Sequence, residues 1–443
     1  MLEYRSTLAA VCAFALLLTG CNTGNGIVTV ANTQSHVRVV NLIPNAGGPI
    51  NVTVDNNPFA AGLVFETLQP YQSLDSITLN NPTRTIRASV AGSVSTLITT
   101  QTAPIGQASY TYVMSGPITA PTGQLYDDTF TDPGAGNFNV RLINAAAGIG
   151  AVDVYLTAPG ADLNQVSPSV GGVSYGGFSL FATVASGNLQ LRVTPAGSKG
   201  VIFQTPPRNY AERAAVDVVV YSRGSSSLVN VQLLNNDATG DGTILNNELA
   251  QFKVVNASTV ASPLNVFFDG ALKLSNIPIA GATSYQRTTA TAHTLAIEAT
   301  ATPGATLLTI APIFVPATDS SVILEGPAGA MTATILADNN LPPGPGNARV
   351  RVVNATAGIA ALDVFVNFSK QISGLPLNSG AYSLELAAAA VDGTPYQFSF
   401  NVAGTSQTVL TLPALSLVGT RTYTLYIVGP PSALTGAITQ DSP

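Results

Sequence analysis

The stretch RVRVVNATAGIAALDVFVNF, residues 349–368, has three relatives upstream: HVRVVNLIPNAGGPINVTVDN at 36–56, NVRLINAAAGIGAVDVYLT at 139–157 and QFKVVNASTVASPLNVFFDG at 251–270. Each copy sets a basic residue three positions before an asparagine, with apolar residues around both. An alternating apolar segment begins eight or nine positions after that asparagine. Alternation with period two is the pattern of a strand with one buried face. Each copy therefore reads as strand, loop, strand, and the chain as a tandem array.

The signature asparagines Asn41, Asn144, Asn256 and Asn354 recur every 98–112 residues. That spacing is the size of a self-sufficient small domain, well beyond the ~20 to 50 residues of a solenoid repeat. A chain of 443 residues is also too long for one ordinary core. Each signature is followed by further short alternating segments and turn residues, ending at Ser115-Gly116-Pro117, Arg223-Gly224, Glu325-Gly326-Pro327 and Gly429-Pro430-Pro431. About seven short strands per unit, with a turn every 8 to 12 residues, is the pattern of a Greek-key or immunoglobulin-like sandwich. The expected architecture is all-β: four immunoglobulin-like β-sandwich domains in tandem, at 36–128, 138–236, 250–340 and 348–440. The linkers are 132–137, 237–248 and 341–347, the last proline-bearing and semi-rigid.

Composition agrees with this. Hydrophobic residues make up 46% of the chain and charged residues 9%, the reverse of a disordered composition. Forty glycines and 29 prolines fit many strands joined by turns. A net charge of −6 leaves no basic footprint for nucleic acid. Both cysteines lie in the first 21 residues, so the array offers no disulfide framework, cysteine metal site or thiol nucleophile.

The N-terminus reads as an address. Arg5 precedes an apolar run at 8–18, too short to span a bilayer, which ends in Leu18-Thr19-Gly20-Cys21. Those four residues resemble the bacterial lipoprotein signal, in which cleavage precedes a lipidated cysteine. The resemblance implies a signal peptide over 1–20, acylation of Cys21, and a tether over 21–35. Asn22 is not the aspartate associated with inner-membrane retention, which points to an outer membrane or cell surface. The expected partners are a membrane, through the lipid, and a protein or glycan.

The signature also resembles domain-of-unknown-function family 4397. The shared features are a V-R-V-x-N opening, a second strand like Val152-Asp153-Val154-Tyr155 and Leu362-Asp363-Val364-Phe365, and a closing Y-T-x-x-x-x-G, seen at 423–429. The first and third units depart from it with Asn51 and Asn265 in place of the aspartate, and the second closes on Val216-Asp217. The resemblance implies an envelope-associated β-sandwich and supplies no catalytic residues.

Four sets of residues invite a chemical reading. The signature pairs a cation with an acid or amide: Arg38 with Asn51, Arg141 with Asp153, Lys253 with Asn265 and Arg351 with Asp363. Because the charges vary between copies, cross-strand surface pairs of ~0.2 to 1 kcal/mol are expected. The asparagines are expected to bond their own loops. In DATGDGTILNNE, residues 237–248, the calcium-loop spacing makes Asp237, Asp241 and Glu248 candidate ligands of a structural calcium ion, against the alternative of a plain polar linker. No other cofactor is expected.

Residues 172–176, GVSYG, match the nucleophile-elbow string. With only His36 and His293 in the chain, and no His-Asp relay expected within one unit, the match reads as coincidence. Tyr71, Tyr175, Tyr285 and Tyr382 are the loop aromatics available to stack on a sugar. The sequence thus supports a non-enzymatic, surface-tethered lipoprotein acting as a stalk or interaction module, with glycan or cell-wall binding through loops as the alternative.

Overall fold

In a computed structural model, residues 34–75, 83–104, 106–223, 227–380 and 383–441 are described. The first unit shows the plan of all four. Its strands are β1 (Gln34–Asn41), β2 (Ile50–Val54), β3 (Asn57–Leu63), β4 (Thr67–Asp75), β5 (Arg84–Val90), β6 (Thr96–Thr102), β7 (Ser109–Ser115) and β8 (Thr122–Asp127). They form two sheets, ordered β4-β1-β7-β8 and β3-β2-β5-β6. The signature strand β1 runs parallel to the closing strand β7, and the other ladders are antiparallel. The unit therefore has eight strands rather than about seven, because the chain runs on past the closing turn into β8. The expected signal peptide at 1–20 and the expected lipidation site, Cys21, lie outside the described residues.

Between the sheets lies a core of Val37, Val39, Ile50, Val52, Ile86, Ala88, Tyr112 and their neighbours. The third and fourth units repeat the four-plus-four arrangement, each around its own core. The second unit is larger. Its first sheet gains a fifth strand, Gly242–Leu245, which pairs with Asn230–Asn235. That strand falls within the expected 237–248 linker, so the second sandwich runs on to Leu245 and the third opens directly at Leu249.

The signature strands are buried on both faces, which a two-layer sandwich standing alone does not require. In β1, Val37 and Val39 point into the sandwich core, while Val40 belongs to a second apolar cluster with Val113, Tyr126, Ile143, Val219 and Leu234. Those residues come from the first sheets of units one and two, which pack outer face to outer face. Val255, Ile323, Val353, Tyr426 and Val428 make the corresponding cluster between units three and four. The chain is thus two welded pairs. The first unit also touches the third linker, where Asn45 donates to the Pro342 carbonyl at 2.8 Å. The array folds back on itself.

Candidate functional site: the charged joints between sandwiches

Strand alternation decides where the signature cations go. Arg38, Arg141, Lys253 and Arg351 each lie one residue from an inward-facing valine or phenylalanine and so project from the outer face, into the joint. All four are buried. The expected surface pairs with Asn51, Asp153, Asn265 and Asp363 do not form, because those residues stand on the other sheet of each sandwich. This corrects the sequence reading.

In the first joint Arg141 grips Asp217 with a two-pronged bond, Nε to Oδ1 at 2.8 Å and Nη2 to Oδ2 at 2.7 Å, and reaches Asp128 Oδ1 at 2.5 Å. Arg38 donates to Thr111 Oγ1 (2.7 Å) and Asn236 Oδ1 (2.8 Å) and stands 3.7 Å and 3.6 Å from Asp128 and Asp217. Tyr71 OH and Thr111 Oγ1 donate to Asp128, each at 2.7 Å, and Arg38 lies over the Tyr71 ring. Burial and the neighbouring Asp217 raise the Asp128 pKa, against the pull of both arginines. For Arg141 burial opposes the charge, but Asp217 and Asp128 outweigh it and hold the guanidinium protonated.

The second joint repeats this with different residues. Lys253 Nζ bonds Asp441 and Thr439 Oγ1, between the Tyr285 and Tyr426 rings. Arg351 bonds Asp338 at 2.5 Å and Thr424 at 3.0 Å. Tyr285 OH also donates to Asp338, and burial followed by that charge drives its pKa far up. Both joints therefore set their two signature cations against two carboxylates.

The positions of the acids are informative. Across from the signature cation on the closing strand stand Thr111, Asp217, Ser321 and Thr424. At the end of the last ladder stand Asp128, Asn236, Asp338 and Asp441. Unit two has exchanged the two chemistries, placing the carboxylate on the closing strand and the amide at the end. Charge balance in the joint survives although the position does not. A buried, paired charge contributes little net stability over an apolar substitute, yet is very costly when left alone. The joints are thereby matched surfaces that reject a misregistered partner.

The signature asparagines do bond their own loops, and they do more. Asn144 Oδ1 accepts from Ala146 N at 3.0 Å, while Nδ2 donates to Gly150 O and Val173 O, both at 2.8 Å. Val173 belongs to the edge strand of the opposite sheet. Asn41 to Leu63 O (3.0 Å), Asn256 to Ile277 O (3.0 Å) and Asn354 to Leu375 O (3.3 Å) make the same crossing. One amide staples the two sheets of each sandwich. The aspartates of the second strand are backbone clamps: Asp153 accepts from Gly172 N and Gly197 N, Asp363 from Gly374 N and Gly404 N.

The structure does not gather Asp237, Asp241 and Glu248 into one ligand set. Asp237 closes a turn by accepting from Thr239 N and Gly240 N, and Asp241 accepts from Asn235 Nδ2. Glu248 lies beyond the added strand and accepts from Gln204 Nε2 at 3.0 Å, joining units two and three. Among the described residues no cluster of three or more His, Cys, Asp or Glu side chains could hold a metal ion. Ser174 of the elbow string follows a strand and enters a turn, with no helix after it.

A His-Asp relay does exist within one unit, contrary to expectation. His293 Nδ1 meets Asp269 Oδ2 at 2.8 Å and Nε2 meets Thr288 Oγ1 at 2.8 Å. The homologous turn in unit one identifies its role. There Asp55 Oδ1 accepts from Thr85 N while Oδ2 pairs with Arg84, as Asp269 Oδ1 accepts from Thr294 N while Oδ2 pairs with His293. Arginine cannot serve as a general base, so the shared feature is a turn staple. Of the candidate stacking residues, Tyr71 and Tyr285 are committed to the joints, Tyr175 is half-exposed beside the turn at Gly116, and Tyr382 lies outside the described residues. A cleft of about 290 Å³ between units two and three is lined by Arg223, Asn230, Asp319, Asn339 and Asn340 with alanine, threonine and leucine, and by no aromatic side chain.

Residues 35–155 and 250–365, together more than half of the chain, match the domain of unknown function DUF4397. Each matched segment starts at the first signature of a welded pair and ends inside the second. No curated protein matches the chain significantly. Among solved structures, similarity extends to a family 26 carbohydrate-binding module of Eubacterium rectale Amy13K in complex with maltoheptaose, at 13% identity and a TM-score of 0.15, covering 48% of this chain and 95% of the module. It extends also to the Bacillus anthracis TIE protein, at 9% identity and a TM-score of 0.16, covering 87% of this chain and 67% of that one.

Proposed function

This chain belongs to the DUF4397 family, and from that premise we propose that it is a non-catalytic, lipid-anchored module of the bacterial cell envelope. In this reading its four sandwiches hold a stiff interaction surface at an outer membrane or cell surface, and its partner is a protein or glycan. The observation that carries the proposal is the use made of the charged signature: all four cations are buried in charge-balanced joints, so the chain's most recurrent polar feature serves assembly. The contact of Asn45 with the third linker favours a folded-back interaction module over a long stalk.

The anchor rests on the LTGC tetrad at 18–21. Two or more acyl chains on Cys21, each contributing ~0.8 kcal/mol per buried methylene, would hold the protein stably on a membrane. Labelling with a fatty-acid analogue should tag the wild type and leave Cys21→Ala unlabelled; undiminished label in the variant would remove the anchor. The glycan alternative must use the cleft between units two and three or loop tips other than Tyr71 and Tyr285. A glycan array probed with the intact chain separates it from the protein-partner reading.

A further inference from the structure

The joint between units three and four contains a buried acid with no cation beside it. Glu325 stands on the outer face of the strand Asp319–Gly326, in line with Ser321 and Ile323, and is 8% exposed. One carboxyl oxygen accepts from Thr334 Oγ1 at 3.3 Å, and the other, Oε1, has no hydrogen-bond partner. Across the joint stands Asn378 of unit four, whose Oδ1 is likewise buried without a partner. Each of these buried acceptor atoms lacks a donor, a deficit that an added proton can repair, and the Asn378 side chain lies within reach of the carboxyl.

The homologous corner of the first joint shows what the second lacks. Asn378 N donates to Asn354 O as Glu66 N donates to Asn41 O, so Asn378 is the counterpart of Glu66. On the strand side, Glu325 is the counterpart of Tyr221, four residues beyond the position facing the signature cation in each case. In the first joint Tyr221 OH donates to Glu66 at 2.8 Å and Arg223 pairs with Glu66 at 3.4 Å, so that acid is neutralised by a cation. In the second the acid has moved to the strand, and hydroxyl and amide groups face it: Thr334 from the neighbouring strand and Asn378 from unit four, with Ala257 beside it on the signature strand. Lys253, Arg351, Asp338 and Asp441 gather at the level of Ser321, about 13 Å away along the strand at 3.3 Å per residue.

We propose that Glu325 is a proton-operated latch between units three and four, closed when its carboxyl is neutral and donates to Asn378 Oδ1, and loosened when it ionises. In the closed state the O–H satisfies both orphaned oxygens. Ionisation leaves a buried carboxylate that only an amide and a hydroxyl can solvate. Burial pushes the Glu325 carboxyl up to about 7, against the hydrogen bond from Thr334 and the lowering influence of the Asn378 side chain. A group raised in this way is neutral in both folded and unfolded chains below its ordinary value of 4.5, so the latch is intact there. Its stabilisation falls as pH rises from 4.5 and is fully lost above about 7. Near-neutral surroundings therefore sit on the switching range.

The test is amide hydrogen exchange on the intact mature chain, corrected for intrinsic rates, between about pH 5 and pH 8. The amide of Asn378, bonded to Asn354 O, reports the corner. Its opening constant should rise about tenfold or more across that range in the wild type and stay level in Glu325→Gln. Equal profiles in wild type and variant would overturn the latch. Should Glu325→Gln fail to fold, the wild-type profile still decides: a flat trace, or an inflection in the ordinary carboxylate range, also overturns it.

Discussion

Replacing Asp217 with threonine, the residue unit one carries at the same position, tests the idea that the joints are held by balanced charge. Asp217 receives the two-pronged bond from Arg141 and a further bond from Asn236 Nδ2 at 3.2 Å, and lies 3.6 Å from Arg38. Asp217→Thr leaves two buried guanidinium groups facing the single carboxylate of Asp128. Breaking one side of such a buried pair costs about 3 to 5 kcal/mol. For a block of roughly 200 residues each kcal/mol moves the melting temperature by about 2 to 4 °C, so a drop of about 6 to 20 °C is expected in the transition of the first pair. Adding Asn236→Asp places a carboxylate where unit one has Asp128, next to Arg38 Nη2, to which Asn236 already accepts at 2.8 Å. The double variant should regain at least about half of the loss. Differential scanning calorimetry of the two variants gives the answer. If the single change is silent, or the second change deepens the loss, the charge-balance account of the joint is wrong.

Other expectations concern separate features. Asn144→Ala removes the staple between the sheets of unit two and strands two buried carbonyls and one amide; chemical denaturation should show a loss of about 2 to 4 kcal/mol. Gly240→Ala should loosen the first joint while sparing the sandwich cores, because the added methyl would sit 2.1 Å from the Tyr71 ring at a backbone φ of +61°; protection should fall at joint amides and persist in the cores. The Asp363 carboxyl is held down to about 2 by its bond from Lys370 and by backbone amides. Its stabilising effect is present above 3.8 and lost as pH falls through about 2, so Asp363→Asn should flatten the acid limb of the melting curve in that window and leave pH 7 to 9 unchanged in slope.

Much of the fold was legible because its signals are local. Period-two alternation around Arg351 and Arg141 marks strands wherever it occurs, and Asn followed by a turn marks the loop after them. The bonds from Asn41, Asn144, Asn256 and Asn354 to their own loops span two residues and follow from side-chain chemistry. The partner of Arg141 was not legible. The sequence puts Asp153 twelve residues away on a similar alternating strand, but that strand belongs to the other sheet, and the true partner is seventy-six residues on. Asp217 stood in plain view as a departure from the family's closing Tyr-Thr; read together with Asn236, it was a sign of compensation. The pairing of His293 with Asp269 was not legible either, because nothing local announces that Asp269, twenty-four residues earlier, ends the facing hairpin.

The sequence by itself determined the number of units, their all-β character, the signature strands and the resemblance at the N-terminus, since each depends on spacing within a few residues or on repetition. Only the tertiary structure decided which face of each signature strand is covered by a second sandwich. Alternation records that Arg38 and Val37 point in opposite directions, but it carries no information about what lies opposite either. Burial of a charge is decided by the neighbour that arrives to neutralise it, and in these joints that neighbour comes from a different domain.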